Sequence, residues 1–175
     1  MNNNLNKNDN IFKMDELKNS LPKIDDPKIK FNTTYTHKII NFGFDNLPIH
    51  TTNHIFKDGR IFSHFSEHWL EKNYSLKHIP GCKNYDLVDK NDYNKKYEQK
   101  TFTKNGCKFM PSNMIGTGRK LNKDKFKEHA SNMNYIIISN IYFPKIELKF
   151  VKGIDLIKKY PSGNIPVNNY FDFFK

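Results

Sequence analysis

Three side chains in the stretch "YDLVDKNDYNKKYEQKTF" have the types and spacing for hydrolytic chemistry: Asp86, Glu98 and Lys100. Side chains alternate faces along an extended strand, so Glu98 and Lys100 project from one side and Gln99 from the other. Asp86 belongs to the preceding apolar run, and neighbouring strands lie about 4.8 Å apart. Two carboxylates drawn that close repel each other, and a divalent cation relieves the repulsion. Mg²⁺ takes one or two carboxylates and fills its remaining positions with water and phosphate oxygens, the ligand set of metal-assisted phosphodiester hydrolysis. An amine two residues along the same face reaches that water or the charge developing at phosphorus. Asp89 is an equally acidic alternative to Asp86. Alternation favours Asp86, because Tyr85, Leu87 and Asp89 share one face and Asp86 and Val88 the other.

These residues need two neighbouring strands and a frame around them. "GCKNYDLVD" and "KYEQKTFT" read as the strands, and the Asn and Asp of "KNDYNK" suit the turn between them. Upstream, "SHFSEHWLEKNY" places Phe62, Phe65, Trp69 and Leu70 at helical spacing, which predicts an amphipathic helix of about ten residues capped by Ser63 or Ser66. Earlier still, "FNTTYTHKIINFGFDNLPIH" is β-branched and aromatic, an irregular or strand-containing stretch. Downstream, "KNGCKFMPSNMIGTGRKLNKDK" reads as a long loop and "NKDKFKEHASN" as a short helix. "NYIIISNIYF" is a continuous apolar run typical of a buried strand, "KIELKFV" alternates as a second one, and "GIDLIKKYP" closes as a helical turn. The aromatic tail "NYFDFFK" is expected to dock on the body. This order predicts an α/β protein with a mixed central β-sheet flanked by helices. Residues 1–30 read as a polar arm, partly disordered or with a short helix near residues 11–20, and residues 31–175 as one domain.

The chain has 29 Lys and Arg against 18 Asp and Glu, a net charge of +11, which favours polyanionic partners. From Lys95 to Lys127 ten basic residues face two acids. Within and beside this segment Lys104, Lys108, Ser112, Asn113, Thr117, Arg119, Lys120 and Lys123 are candidate DNA contacts. Asn113 and Arg119 are suited to base edges, and the others to phosphates. No stretch approaches the ~20 apolar residues that cross a bilayer, and the N-terminus lacks the apolar core of a secretory signal. No membrane association and a cytoplasmic location are therefore expected. Cys82 and Cys107 form no close pair, and with the histidines they match no zinc-ligand spacing. "GTG" stands in neither a phosphate-binding nor a dinucleotide-binding motif, and no serine sits in a nucleophile elbow.

Asp86, a turn, and then Glu98-Gln-Lys100 in a strand resembles the PD-(D/E)xK nuclease superfamily, and the chain's size is similar to that of its type II restriction endonucleases. The matching order covers residues 60 to 160, with Tyr85 standing where the family's name has Pro. The resemblance implies a restriction-endonuclease-like core, Asp86 and Glu98 as Mg²⁺ ligands, and Lys100 as the catalytic lysine. It also implies Glu67, on the upstream helix, as a further carboxylate toward the metal. The expected activity is Mg²⁺-dependent hydrolysis of double-stranded DNA at a specific site, leaving 5′-phosphate and 3′-hydroxyl ends. The expected assembly is a homodimer, accompanied by a cognate DNA methyltransferase in the same system. A repair, homing or junction-resolving nuclease with the same core is an alternative, as is a non-catalytic basic nucleic-acid-binding protein.

Overall fold

A computed structural model of the chain describes residues 28–40, 47–81, 84–111, 114, 118 and 122–175. The expected N-terminal arm lies almost wholly outside these residues, as do Cys82, Ser112, Asn113, Thr117, Arg119 and Lys120. The elements in chain order are β1 (Thr34–Lys38), α1 (Ile49–Ile55), α2 (Gly59–Asn73), β2 (Leu76–His78), β3 (Leu87–Asp89), β4 (Lys96–Phe102) and β5 (Cys107–Lys108). They continue with α3 (Lys123–Ser131), β6 (Asn134–Ser139), β7 (Lys145–Lys152), α4 (Gly153–Lys159), β8 (Asn164–Ile165) and α5 (Tyr170–Phe173).

Six strands form one mixed sheet in the order β1-β7-β6-β4-β3-β2. β2, β3 and β4 run antiparallel as a meander, and β6 lies parallel to β4, with Glu98 beside Tyr135 and Lys100 beside Ile137. β7 and β1 extend the sheet antiparallel beyond β6. The parallel step at β4 and β6 requires a crossover, and α3 is part of it. The Ile136–Ile138 run is fully buried because both faces of β6 are covered.

Alternation along the strands divides the core in two. Tyr97, Ile136, Ile138, Leu148 and Phe150 face α2 and its apolar side, including Phe62, Leu70 and the adjacent Tyr74. Phe102, Tyr135, Ile137 and Val151 face the other way, against Phe126 and Ala130 of α3, Leu156 of α4, and Tyr170, Phe173 and Phe174 of the tail. The tail is further anchored by Lys149, whose buried ammonium donates to the carbonyls of Phe173 at 2.6 Å and Lys175 at 3.1 Å.

Several expectations need correction. α2 is fifteen residues long and starts at Gly59. Its cap is Asp58, which accepts from the backbone N–H of Arg60 at 2.9 Å and Ile61 at 3.2 Å, so Ser63 and Ser66 lie inside the helix. Asp58 supplies the acceptor that the first turn lacks, and its carboxyl pKa is held below the ordinary value by the Ile61 and Arg60 amides. α1 and β2 are too short for periodicity to reveal. The expected long loop begins with ordered structure: Thr103 and Gly106 close a tight turn, and β5 pairs with β8. Gly106 has φ +87°, and a side chain there would meet the Ile165 carbonyl oxygen at 2.5 Å.

α4 packs on α3 through Gly153, whose amide donates to the Met133 carbonyl at 2.8 Å. A Cβ at this position would overlap the carbonyl oxygen of Ala130 and stand 2.7 Å from that of Met133, both rigid backbone atoms. Gly153→Ala is therefore expected to cost about 1–3 kcal/mol by overpacking. At about 2–4 °C per kcal/mol for a chain of this size, the drop is readable by thermal circular dichroism. Ile154→Ala, at an exposed neighbouring position, should leave the melting temperature nearly unchanged.

Candidate active site

The site forms where β3 stops covering β4. The two strands pair at Leu87 with Tyr97 and at Val88 with Lys96. Just before β3, Asp86 donates its amide to the Tyr97 carbonyl at 3.0 Å, and its Oδ2 accepts the Gln99 amide at 2.7 Å. A side-chain carboxylate thus takes the bond that a further β3 residue would otherwise make. This fixes Asp86 beside Glu98, and among the described residues no strand covers this edge of β4 beyond that point.

Glu98 and Lys100 project from the same side of β4 and form an ion pair of 2.6 Å, Nζ to Oε1, with side chains 16% and 23% exposed. Burial raises the Glu98 pKa above its ordinary value, the Lys100 charge opposes that rise, and the Asp86 and Glu67 charges add to it. The net direction is upward, so desolvation and the neighbouring acids outweigh the salt bridge. The region is short of positive charge at its centre, where a divalent cation would add it. Among the described residues no three His, Cys, Asp or Glu side chains gather as a metal cage. Asp86 and Glu98 are the two-carboxylate set that Mg²⁺ accepts when water and phosphate complete its shell.

Gln99 faces the opposite way and is buried. Its Oε1 accepts from Ser63 of α2 at 2.9 Å and its Nε2 donates to Thr101 at 3.3 Å. Ser63 also lies 3.2 Å from Glu67, whose other oxygen is 3.2 Å from His78 Nε2 on β2. Glu67 is therefore tied into a polar network between α2 and the sheet, and it influences Glu98 only through its charge. Asp89, the alternative to Asp86, uses its Oδ1 to accept from the amides of Asn91 at 2.8 Å and Asp92 at 3.2 Å in the β3–β4 turn.

A groove of about 780 Å³ runs along the uncovered edge of β4, lined by Arg60, Ser63 and His64 of α2, by Gln99, Lys100 and Thr101, and by Asn105 and Lys108 beyond the strand. Of the three proposed catalytic side chains, Lys100 lines it. Lys108 is an exposed cation on its wall, Lys104 is exposed at the adjoining turn, and Lys123 is exposed at the start of α3. Arg60 lies before the stretch read as this helix, and the Asp58-Gly59 pair was the signal for the earlier start; His64 lies inside that stretch, where nothing in the sequence assigned it a role. His129 of α3 senses the Lys100 charge, and burial first and that charge second lower its pKa. Cys107 is fully buried, with its thiol pKa pushed up to about 12 by burial, and so is inert.

No protein-family model, no curated protein and no solved structure matches the chain.

Because the folded-state pKa of Glu98 lies above its unfolded value, the native state keeps a proton that the unfolded chain releases as pH rises through the interval between them. Stability contributed by protonated Glu98 is thus complete below the unfolded pKa and lost on passing the folded one. Glu98→Gln is expected to melt at a higher temperature than the parent protein at pH 7, the gap closing below about pH 4. Melting curves across pH check this; a variant less stable than the parent at pH 7 would show that the Lys100 pair dominates instead.

Proposed function

We propose that this protein is a Mg²⁺-dependent endonuclease of the PD-(D/E)xK type acting on double-stranded DNA, most economically a site-specific restriction enzyme. The observation that carries the reading is the gathering of Asp86, Glu98 and Lys100 at the point where β3 leaves β4, beside a basic groove. The order α2, β2, β3, β4, α3, β6, with an antiparallel meander and a parallel fourth strand, supports it as the arrangement the resemblance implies.

In this reading Asp86 and Glu98 hold the metal. When bound, Mg²⁺ would lower the pKa of a coordinated water and neutralise charge on the phosphate. The chain's own groups do the rest. Asp86 is held in place by the Gln99 amide, so its free oxygen is pre-aimed, which avoids an ordering cost on binding. Lys100 has three N–H donors, one of which is occupied by Glu98. Two remain for the attacking water and a non-bridging phosphate oxygen, where the ammonium stabilises the charge that grows in the transition state. Arg60 and Lys108 supply positive charge in the groove and Lys104 at the adjoining turn; Lys123 at the start of α3 and the segment from Ser112 to Lys120 are proposed as further DNA contacts. One site cuts one strand, so a two-fold homodimer is the assembly proposed for a duplex cut, with a methyltransferase protecting the host's own copies of the target.

Purified protein incubated with phage DNA and Mg²⁺ should give discrete fragments, and EDTA should abolish them. Asp86→Asn, Glu98→Gln and Lys100→Ala should each slow cleavage by at least about 10²-fold, the scale of losing one transition-state charge partner. Intact DNA across varied duplexes and divalent metals, or unimpaired cutting by Lys100→Ala, would remove this reading. A basic binder would keep its affinity in EDTA and ignore Glu98→Gln.

Metal binding has its own readout. Ca²⁺ or Mg²⁺ at about a hundred times its dissociation constant should stabilise the parent fold by about 2.7 kcal/mol. The resulting rise in melting temperature should be lost in Asp86→Asn and in Glu98→Gln. An equal rise in all three proteins would place the metal elsewhere.

A further inference from the structure

A second polar cavity opens beside the site, between the entry to β3, the start of β4 and the outer side of α3. It measures about 490 Å³, and Tyr85, Lys96, Lys125, His129 and Asn132 line it, with Glu128 the one acid among its lining residues. Lys96 and Lys125 are exposed cations. No acid is within salt-bridge reach of either ammonium among the described residues, and the Lys96 ammonium instead lies 5.1 Å from the centre of the Tyr85 ring. Asn132 donates to the Glu128 carbonyl at 3.1 Å, which leaves its second amide hydrogen available.

The position of the cavity is what gives it meaning. Lys96 precedes Glu98 by two residues, so both side chains leave the same face of β4 about 6.6 Å apart along the strand. His129, in the cavity wall, is close enough to Lys100 to sense its charge.

We propose that this cavity is a phosphate subsite for the nucleic-acid strand being cut, in which Lys96 and Lys125 together bind a backbone phosphate flanking the scissile one. The inference rests on the nuclease reading for its register on the strand, and it names the contact that would align the strand with Asp86, Glu98 and Lys100. Lys96 and Lys125 supply the charge, while Asn132 and the His129 imidazole offer N–H donors. Glu128 sits at the rim, where its repulsion is screened.

The test uses the full chain carrying Lys100→Ala, so that binding is read without cleavage, in Ca²⁺, with a fluorescent 20-base-pair duplex titrated across a salt series. Adding Lys96→Ala and Lys125→Ala should reduce the slope of log affinity against log salt by about 0.9, the contribution of the one phosphate the two lysines share. The Arg pair at both positions should restore most of the slope. The control removes two equal charges at the far side of the sheet, Lys38→Ala and Lys145→Ala, and should change the slope much less. A pocket variant that matches the control overturns the inference, as does loss of inorganic phosphate binding with duplex binding unchanged. The outcomes separate from those of the parent reading: a parent protein that cuts nothing in Mg²⁺ removes the nuclease activity, whereas a cutting protein indifferent to both lysines removes the subsite alone.

Discussion

A single hydrogen bond organises the centre of this molecule, the one from the Gln99 amide to the Asp86 carboxylate at 2.7 Å. A strand leaving a sheet strands the backbone donors of its neighbour, and a buried amide without a partner is costly. Here the donor is satisfied by a side chain, so β3 can diverge without penalty and the edge of β4 stays uncovered. The same bond immobilises an acid next to Glu98. Opening the groove and placing the carboxylate are thus one structural event, and a second acid elsewhere on β3 would not achieve both.

The alternation of β4 then divides the labour of three consecutive residues. Gln99 turns toward α2, where Ser63 holds its side-chain oxygen and Thr101 its nitrogen. That network reaches through Glu67 to His78 on β2, so the helix and the meander are registered against each other by polar contacts near the groove. Glu98 and Lys100 turn the other way and remain available. A buried polar residue between two candidate site residues looks wasteful until its backbone is considered: the Gln99 amide is the donor that holds Asp86. Side chain and main chain of one residue therefore fix the site from both faces of the sheet.

Much of this frame was legible in the sequence because its signals are local. The apolar run of β6, the alternation of β7, the short helix α3 and the tail aromatics follow from periodicity and composition, and each lies where it was expected. β3 and β4 were legible for the same reason, although β3 is only Leu87–Asp89 and Asp86 falls just before it. Elements defined by distant partners were not. β2 is three residues long and exists because β3 pairs with it; β5 exists because β8, more than fifty residues away, lies alongside. The start of α2 was misjudged because its expected apolar stripe begins at Phe62, whereas the helix begins at Gly59, three residues earlier, behind its cap Asp58. The choice between Asp86 and Asp89 also needed coordinates, since both are acids near one turn and only hydrogen bonding separates them. Asp89 holds the turn closed, which leaves Asp86 as the acid facing β4.

The balance of charge at the site argues that the arrangement is kept for something other than stability. Burial raises the Glu98 pKa despite a lysine at 2.6 Å, and the charges of Asp86 and Glu67 add to the rise. A fold selected for robustness would place an apolar or amide side chain at such a position, because a desolvated ion pair is often no better than a well-packed neutral one. Desolvated charged groups that oppose folding beside a groove are the pattern expected at sites that bind a counter-charge. The surrounding surface is positive and suited to a polyanion, while its centre is acidic and would repel one. In the proposed reading a divalent cation would reconcile these opposite preferences, because it would neutralise the acidic centre and attract the phosphate that the lysines favour.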